Sequence, residues 1–194
     1  MRTISNPVPD TDEEPEWIER ARAGDAAAFR LLVERYGDRA YGLAFRMLGS
    51  RSDAEEVAQD AFVRAWRALP RFRGESSFST WLHRIVVRRA LDRSATLKSR
   101  RARETGIEDL DSLEPVVTTA GVSGDLARRL DRLLGELSDM QRAVVLMYYY
   151  EDQSVEHVAQ SLSIPAGTVK THLHRARALL RAGWIEEDRR LGQG

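Results

Sequence analysis

Lys170, Thr171, His174, Arg175 and Arg177 place five hydrogen-bond donors within eight residues of one another. At helical spacing they share the outer side of a helix whose inner side is Val169, Leu173, Ala176 and Leu180. Donors of this kind suit base edges and phosphate oxygens in a major groove. The preceding segment supplies the rest of a helix-turn-helix: a short helix from Ser154 with Val155, Val158, Ala159 and Leu162 inward, then the turn Ser163-Ile164-Pro165. Pro165 stands at the first helical position, where its missing N–H removes no bond. An ordinary helical hairpin with a basic outer face has the same spacing, and both readings stay open at this point.

A second constellation is acidic. On a helix opened by the capping box Ser52-x-x-Glu55, Asp53, Glu56 and Asp60 line up, with Glu55 and Gln59 beside them. The opposite stripe is Ala54, Val57, Ala58, Ala61, Phe62, Ala65 and Trp66, and Pro70 ends the run. The acidic side is either a solvated face or a docking surface for a basic partner.

Enzyme chemistry finds little support. His172 and His174 lie two apart on a helix and diverge rather than share a metal, while His83 and His157 stand alone. No Gly-rich phosphate loop, nucleophile elbow or carboxylate–histidine zinc motif is present, so no catalytic residue, cofactor or metal is expected. The chain has no cysteine, which excludes disulfides and thiolate metal sites and fits a reducing cytoplasm. No apolar run is long enough to span a membrane, and no signal peptide is evident.

These residues sit on an expected all-α chain in two small domains. Met1 to Pro15, rich in Pro, Asp and Glu, is expected to be disordered. Domain boundaries are expected at 1–16 (acidic N-terminus), 17–96 (first helical domain), 97–125 (linker), 126–183 (second helical domain) and 184–194 (short tail). In the first domain Phe29, Leu32, Val33, Tyr36, Ala40, Leu43, Ala44 and Met47 recur at helical spacing, with Gly37 a point where the helix breaks or loosens. A later helix, from about Ser79, buries Leu82, Ile85 and Val86 and exposes Arg84, Arg88, Arg89 and Arg93. The second domain opens with Leu126, Leu130, Leu133, Leu134 and Leu137 on one face, then the capping box Ser138-x-x-Gln141. Its last helix is expected to end near Ala182.

Zero net charge conceals segregation. Residues 64–103 carry a net +10 and residues 104–125 a net −6, with no Lys or Arg in the latter block. The dense basic block points to a polyanion.

DAEEVAQDAFVRAW, FRGESSFSTWLHRIVVRRALD, the acidic stretch and SVEHVAQSLSIPAGTVKTHLHRARALLR, in this order, resemble the extracytoplasmic-function sigma factors, two-domain members of the sigma-70 family that give bacterial RNA polymerase its promoter specificity. The resemblance runs from about Trp17 to Ala182. It implies that Asp53, Glu56, Gln59 and Asp60 dock on the clamp of the polymerase largest subunit. It also implies that the helix carrying Arg84, Arg88 and Arg89 lies along the −10 element, and that Lys170, Thr171, His174, Arg175 and Arg177 read the −35 element. The acidic linker would enter the polymerase interior, and an anti-sigma factor is an expected partner. Within FRGESSFSTW, Phe78 and Trp81 are expected to pack into the core. Phe72, Arg73, Ser76 and Ser77 form an exposed part able to receive a base flipped from the melted strand. Three positions depart from the family pattern: Arg88 where an asparagine is frequent, Ser163 where a glycine is, and His172 where an arginine occurs.

Overall fold

The computed structural model describes residues 13–104 and 124–191, and every regular element in them is helical. The expected disorder over residues 1–12, and the expected linker over 105–123, lie outside the described residues. The chain divides into two compact units, Met1–Thr96 and Leu97–Gly194, each with its own buried apolar residues.

The first unit begins with α1 (Glu14–Arg22), which opens inside the stretch expected to be disordered. A polar contact that apolar periodicity cannot register holds it there. The Tyr36 hydroxyl donates to Glu14 Oε2 at 2.7 Å, and Arg35 lies 3.1 Å from the same carboxylate. Burial first, and then the Glu14 carboxylate, push the Tyr36 phenol well above its ordinary value, so it stays a donor. Tyr36 belongs to α2 (Ala26–Leu48), which Asp25 caps by accepting from the Ala27 and Ala28 amides at 2.8 and 3.1 Å.

α2 runs unbroken through Gly37, against expectation. A mid-helix glycine costs only about 1 kcal/mol, and the buried Leu32, Tyr36, Ala40 and Leu43 on either side outweigh it. Gly49, at φ +71°, ends α2 in the left-handed region. The next residue, Ser50, caps α3 (Arg51–Ala68) by accepting from the Asp53 amide at 3.4 Å. The cap therefore lies two residues before the expected Ser52 box. Once Gly49 has closed one helix, Ser50 is the residue left with the extended backbone a cap requires. The α3 stripe is buried as expected at Ala54, Val57, Ala58, Ala61, Phe62 and Ala65, and its four alanines give α2 room for close packing.

A 3₁₀ turn over Leu69–Arg71 leads to the polar loop, and α4 spans Phe78–Glu104. Leu82, Val86, Val87 and Ala90 of α4 are buried and Ile85 only partly so. The helix overruns its expected end: residues 97–104 are helical rather than linker. Apolar periodicity stops there because these side chains are largely exposed, while Leu, Lys, Ala and Arg remain strong helix formers.

In the second unit α5 (Gly124–Gly135) sets Leu133 and Leu134 against the core and ends where Arg142 reaches its carbonyls. Arg142 donates to the oxygens of Leu134, Gly135 and Leu137 at 2.8, 2.8 and 3.2 Å, a cationic cap on the negative end of a helix. Burial lowers its guanidinium below the ordinary value. α6 (Asp139–Val145) carries the expected capping box: Gln141 Oε1 accepts from the Ser138 amide at 3.0 Å and Ser138 Oγ from the Gln141 amide at 3.4 Å. A single π turn, Leu146–Tyr150, continues it.

α7 (Val155–Leu162) and α8 (Ala166–Leu191) follow, α7 capped by Ser154 as expected. α8 extends well beyond Ala182, so the expected tail is helical through Leu191. α5 holds this extension. Gly183 lies so close to Leu133 that an added Cβ would come within 2.5 Å of Leu133 Cδ2. Arg129 stacks 3.6 Å over the Trp184 ring and pairs with Glu187 and Asp188, both at 2.7 Å.

Candidate nucleic-acid interface

α7 and α8 form the helix-turn-helix. Val158, Val169, Leu173 and Ala176 are buried on the inner side, with Leu180 partly so. Ser163 turns the chain at φ +56° and ψ +43°, and the Ile164 amide donates to Ala159 O at 3.0 Å. The Pro165 carbonyl takes the first α8 bonds, from Thr168 and Val169. Lys170, Thr171, His174, Arg175 and Arg177 are all exposed on the outer side, so the structure brings the five together as the spacing predicts. At about 1.5 Å per residue they cover roughly 10 Å of helix, within the roughly 12 Å width of a major groove.

Two of the five already have partners. Thr171 Oγ1 donates to Gly167 O at 2.9 Å, which leaves its lone pairs and methyl group facing out. Arg177 Nε donates to the hydroxyl of Tyr149 at 2.6 Å, a residue the sequence reading did not single out. His172 is only partly exposed and its Nδ1 is buried, so it stands apart from the outer stripe.

In the first unit the basic and acidic constellations face each other. Arg93 Nε donates to Asp53 Oδ1 at 2.7 Å, and another Arg93 nitrogen lies 2.9 Å from Glu56. Arg89 Nε donates to Asp60 Oδ2 at 2.6 Å and Arg89 Nη1 to Asp92 at 2.8 Å, while Arg64 reaches Asp60 at 2.9 Å. Burial works to raise the Asp60 carboxyl, but the bonds from Arg64 and Arg89 outweigh it and hold Asp60 below the ordinary range. Gln59 and Glu55 face solvent, and Glu56 is mostly exposed. Arg88 is exposed and Arg84 half-buried on α4. The pairs between α3 and α4 join residues 29 to 40 apart, which no local pattern reveals.

The polar loop differs from expectation at its first residue. Phe72 is buried, at 8% relative exposure, and is not an exposed ring. Its ring lies 5.0 Å from Trp81 and edge-on to Phe78 at 6.3 Å, and Phe78 in turn meets Tyr36 at 5.4 Å. The four rings form one cluster at the base of the loop; Phe78 is buried as expected and Trp81 half-buried. Ser77 also has structural work: its Oγ accepts from the Thr80 amide at 3.1 Å and so caps α4. The outward-facing part is Arg73, Gly74, Glu75 and Ser77, with Ser76 partly exposed, so of the residues expected to be exposed here only Phe72 is enclosed. Gly74, at φ +71°, makes the turn between them.

The chain matches the family model for sigma-70 region 2 over residues 32–101 and that for sigma-70 region 4 over residues 127–180. It is 35% identical to the ECF RNA polymerase sigma factor SigW of Bacillus subtilis, over 84% of this chain and 92% of that one. Among solved structures it is similar to CnrH in complex with the cytosolic domain of CnrY: TM-score 0.61 and 26% identity, covering 91% of this chain and 99% of that one. It shares its fold with the sigma factor RpoE, in complex with the anti-sigma factor NepR, from Bartonella quintana. The TM-score is 0.63 and the identity 21%, covering 81% of this chain and 96% of that one.

Proposed function

Because the chain belongs to the extracytoplasmic-function sigma factors of the sigma-70 family, we propose that its two units divide promoter recognition between them. The protein is an alternative sigma factor, a non-enzymatic initiation subunit rather than a stand-alone regulator. The −35 element falls to α8, with Lys170, Thr171, His174 and Arg175 in the groove and Arg177 at its edge. The −10 element falls to α4 and the loop before it. The observation that carries this reading is the exposed row of donors on α8 above a dry inner face.

Polymerase docks on α3, through Gln59, Glu56 and the flanking Asp53 and Asp60. A basic clamp surface meets the exposed Gln59 and Glu56 first and competes with Arg93 and Arg89 for the aspartates. The protein acts where polymerase acts, in the cytoplasm, and among the described residues no helix is long and apolar enough to cross a membrane. An anti-sigma factor is its regulatory partner, by analogy with the complex described for the Bartonella protein.

Base capture at the loop rests on Arg73, Ser76, the exposed Ser77 and the outer edge of Trp81, since Phe72 is enclosed. A captured base contributes about 1–3 kcal/mol, whereas melting about a dozen pairs costs near 1.4 kcal/mol each. Polymerase must supply the difference, so the free chain should bind promoters weakly.

The test is transcription by purified core polymerase, with and without the chain, from a genomic fragment library. Promoters that start only when the chain is present are the expected result. A chain that holds duplex DNA tightly alone and never supports initiation overturns the reading. On a promoter so found, Arg175→Ala should cost about 1–3 kcal/mol at the −35 element and relax its preference at one base position. An unchanged response to mutated −35 sequences would remove Arg175 from the base-reading set.

A further inference from the structure

Arg177 differs from the arginines that carboxylates hold. Arg89 and Arg93 face carboxylates, and Arg129 of the second unit does too. The partner of Arg177 is neutral: the Tyr149 hydroxyl, which accepts from Nε at 2.6 Å, with the guanidinium carbon 5.6 Å from the ring centroid. Its full positive charge therefore stays available to an outside anion. The bond uses Nε and leaves both Nη groups, the end-on fork that suits a phosphate. Tyr149 in this arrangement is an acceptor, so its own O–H proton remains free to donate outward.

The backbone explains why a tyrosine from the turn that follows α6 reaches α8. Tyr149 sits in the π turn Leu146–Tyr150, where the Glu151 amide bonds to Leu146 O at 3.1 Å, one residue wider than an α turn. Tyr148 packs edge-on against the Tyr149 ring at 4.9 Å and fixes its plane. Even so, Tyr149 remains 41% exposed, and Arg177 is exposed beside it. Lys170, His174 and Arg177 follow one stripe at spacings of four and three. Arg177 lies roughly 10 Å beyond Lys170 along the axis, at the distance of a groove wall rather than its floor.

We propose that Tyr149 and Arg177 form a composite site for one backbone phosphate of duplex DNA, flanking the base-reading stripe of α8. The inference rests on the reading of α8 as the −35 surface and adds to it a contact from outside the helix-turn-helix. Arg177 supplies the charge; Tyr149 orients the guanidinium and adds a neutral donor. Such a contact carries no sequence information and should serve any duplex equally.

That property provides the test. Full-length protein is titrated into a labelled duplex of roughly 30 base pairs and arbitrary sequence, across roughly 20 to 200 mM salt, where phosphate contacts dominate. Arg177→Ala should weaken binding and lower the slope of log affinity against log salt by about 0.9, one phosphate's worth. Tyr149→Phe keeps the ring and removes the hydroxyl; it should weaken binding about three- to tenfold with the slope nearly unchanged. In the Arg177→Ala background the Tyr149→Phe loss should be markedly smaller, and in the wild-type background it should be equal on a scrambled duplex. Thermal melting confirms that each variant is folded.

A Tyr149→Phe loss of the same size with and without Arg177 would mean a structural tyrosine and overturns the proposal. So does an Arg177→Ala slope equal to wild type, or a Tyr149→Phe loss that changes with sequence. Lys170→Ala and Arg175→Ala separate this from the parent reading. If they weaken binding and Tyr149→Phe does not, only the composite site fails. If neither they nor the other variants alter binding, or the wild-type chain retains no duplex at low salt, the assignment of α8 fails with it.

Discussion

Ser163 holds the turn of the helix-turn-helix in the left-handed region, at φ +56° and ψ +43°. An L-residue there is strained by roughly 1–2 kcal/mol, and glycine is not, although glycine's freer unfolded chain returns about 0.4–1 kcal/mol of that. Ser163→Gly should therefore stabilise the second unit by about 0.5–1 kcal/mol, read as a higher urea midpoint at unchanged slope. A lower midpoint would mean that the serine hydroxyl contributes more than the backbone strain costs. Phe72 poses the opposite case. Its ring is enclosed by Phe78 and Trp81, so Phe72→Ala should destabilise the first unit by about 3–5 kcal/mol through the cavity it leaves. A variant that melts like wild type yet fails to open promoters would restore Phe72 as a base contact. The sequence could not decide this, because FRGESSFSTW has no apolar period and the ring that extends its cluster inward, Tyr36, lies far away in the chain. By contrast the exposure of Lys170, Thr171, His174, Arg175 and Arg177 was legible, since the buried Val169, Leu173 and Ala176 fix the rotation of α8.

Helices betray themselves in sequence by the side they bury, and the errors at this scale share that origin. The extension of α4 through Glu104 and that of α8 through Leu191 are largely exposed, and so carried no stripe to read. Glu14 falls in the stretch expected to be disordered because its anchor is a hydrogen bond from Tyr36. The same blindness hid the clasp between α3 and α4, in which Arg89 and Arg93 neutralise the carboxylates proposed to meet polymerase. The clasp has a pH signature. Asp60 titrates below the ordinary aspartate value in the folded state, so it adds stability above the unfolded value near 4, and loses it as pH falls through the folded value. Asp60 is over a third exposed, and solvent screening keeps the effect small. Asp60→Asn should lower the urea midpoint at neutral pH, and the gap to wild type should close as pH drops toward about 3. A gap that stays constant down to that pH would show that shape, rather than charge, links Asp60 to Arg89.

Across the whole chain, charge is segregated along the sequence. Residues 64–103 hold +10 and residues 104–125 hold −6 with no compensating cation, so a block of one sign follows directly upon a block of the other in the sequence. Part of the positive charge is met by the α3 carboxylates; Arg71, Arg73 and Arg88 are exposed at the surface, Arg73 with Glu75 beside it at 3.9 Å. Because the Debye length is about 8 Å at physiological salt, only charges brought close can compete with DNA for that surface. A covalently attached acidic segment keeps its effective concentration high, in the manner of a linked ligand. Replacing Glu104, Glu108, Asp109, Asp111, Glu114 and Asp125 with their amides should tighten binding of the free chain to non-specific duplex severalfold. The gain should shrink as salt rises, since every contact involved is ionic. The same variant should initiate less well with core polymerase, whose interior the acidic linker is expected to enter. Equal duplex affinity for both proteins at low salt would reduce the segment to a spacer; better duplex binding with undiminished initiation would keep its restraining role and remove the one inside polymerase.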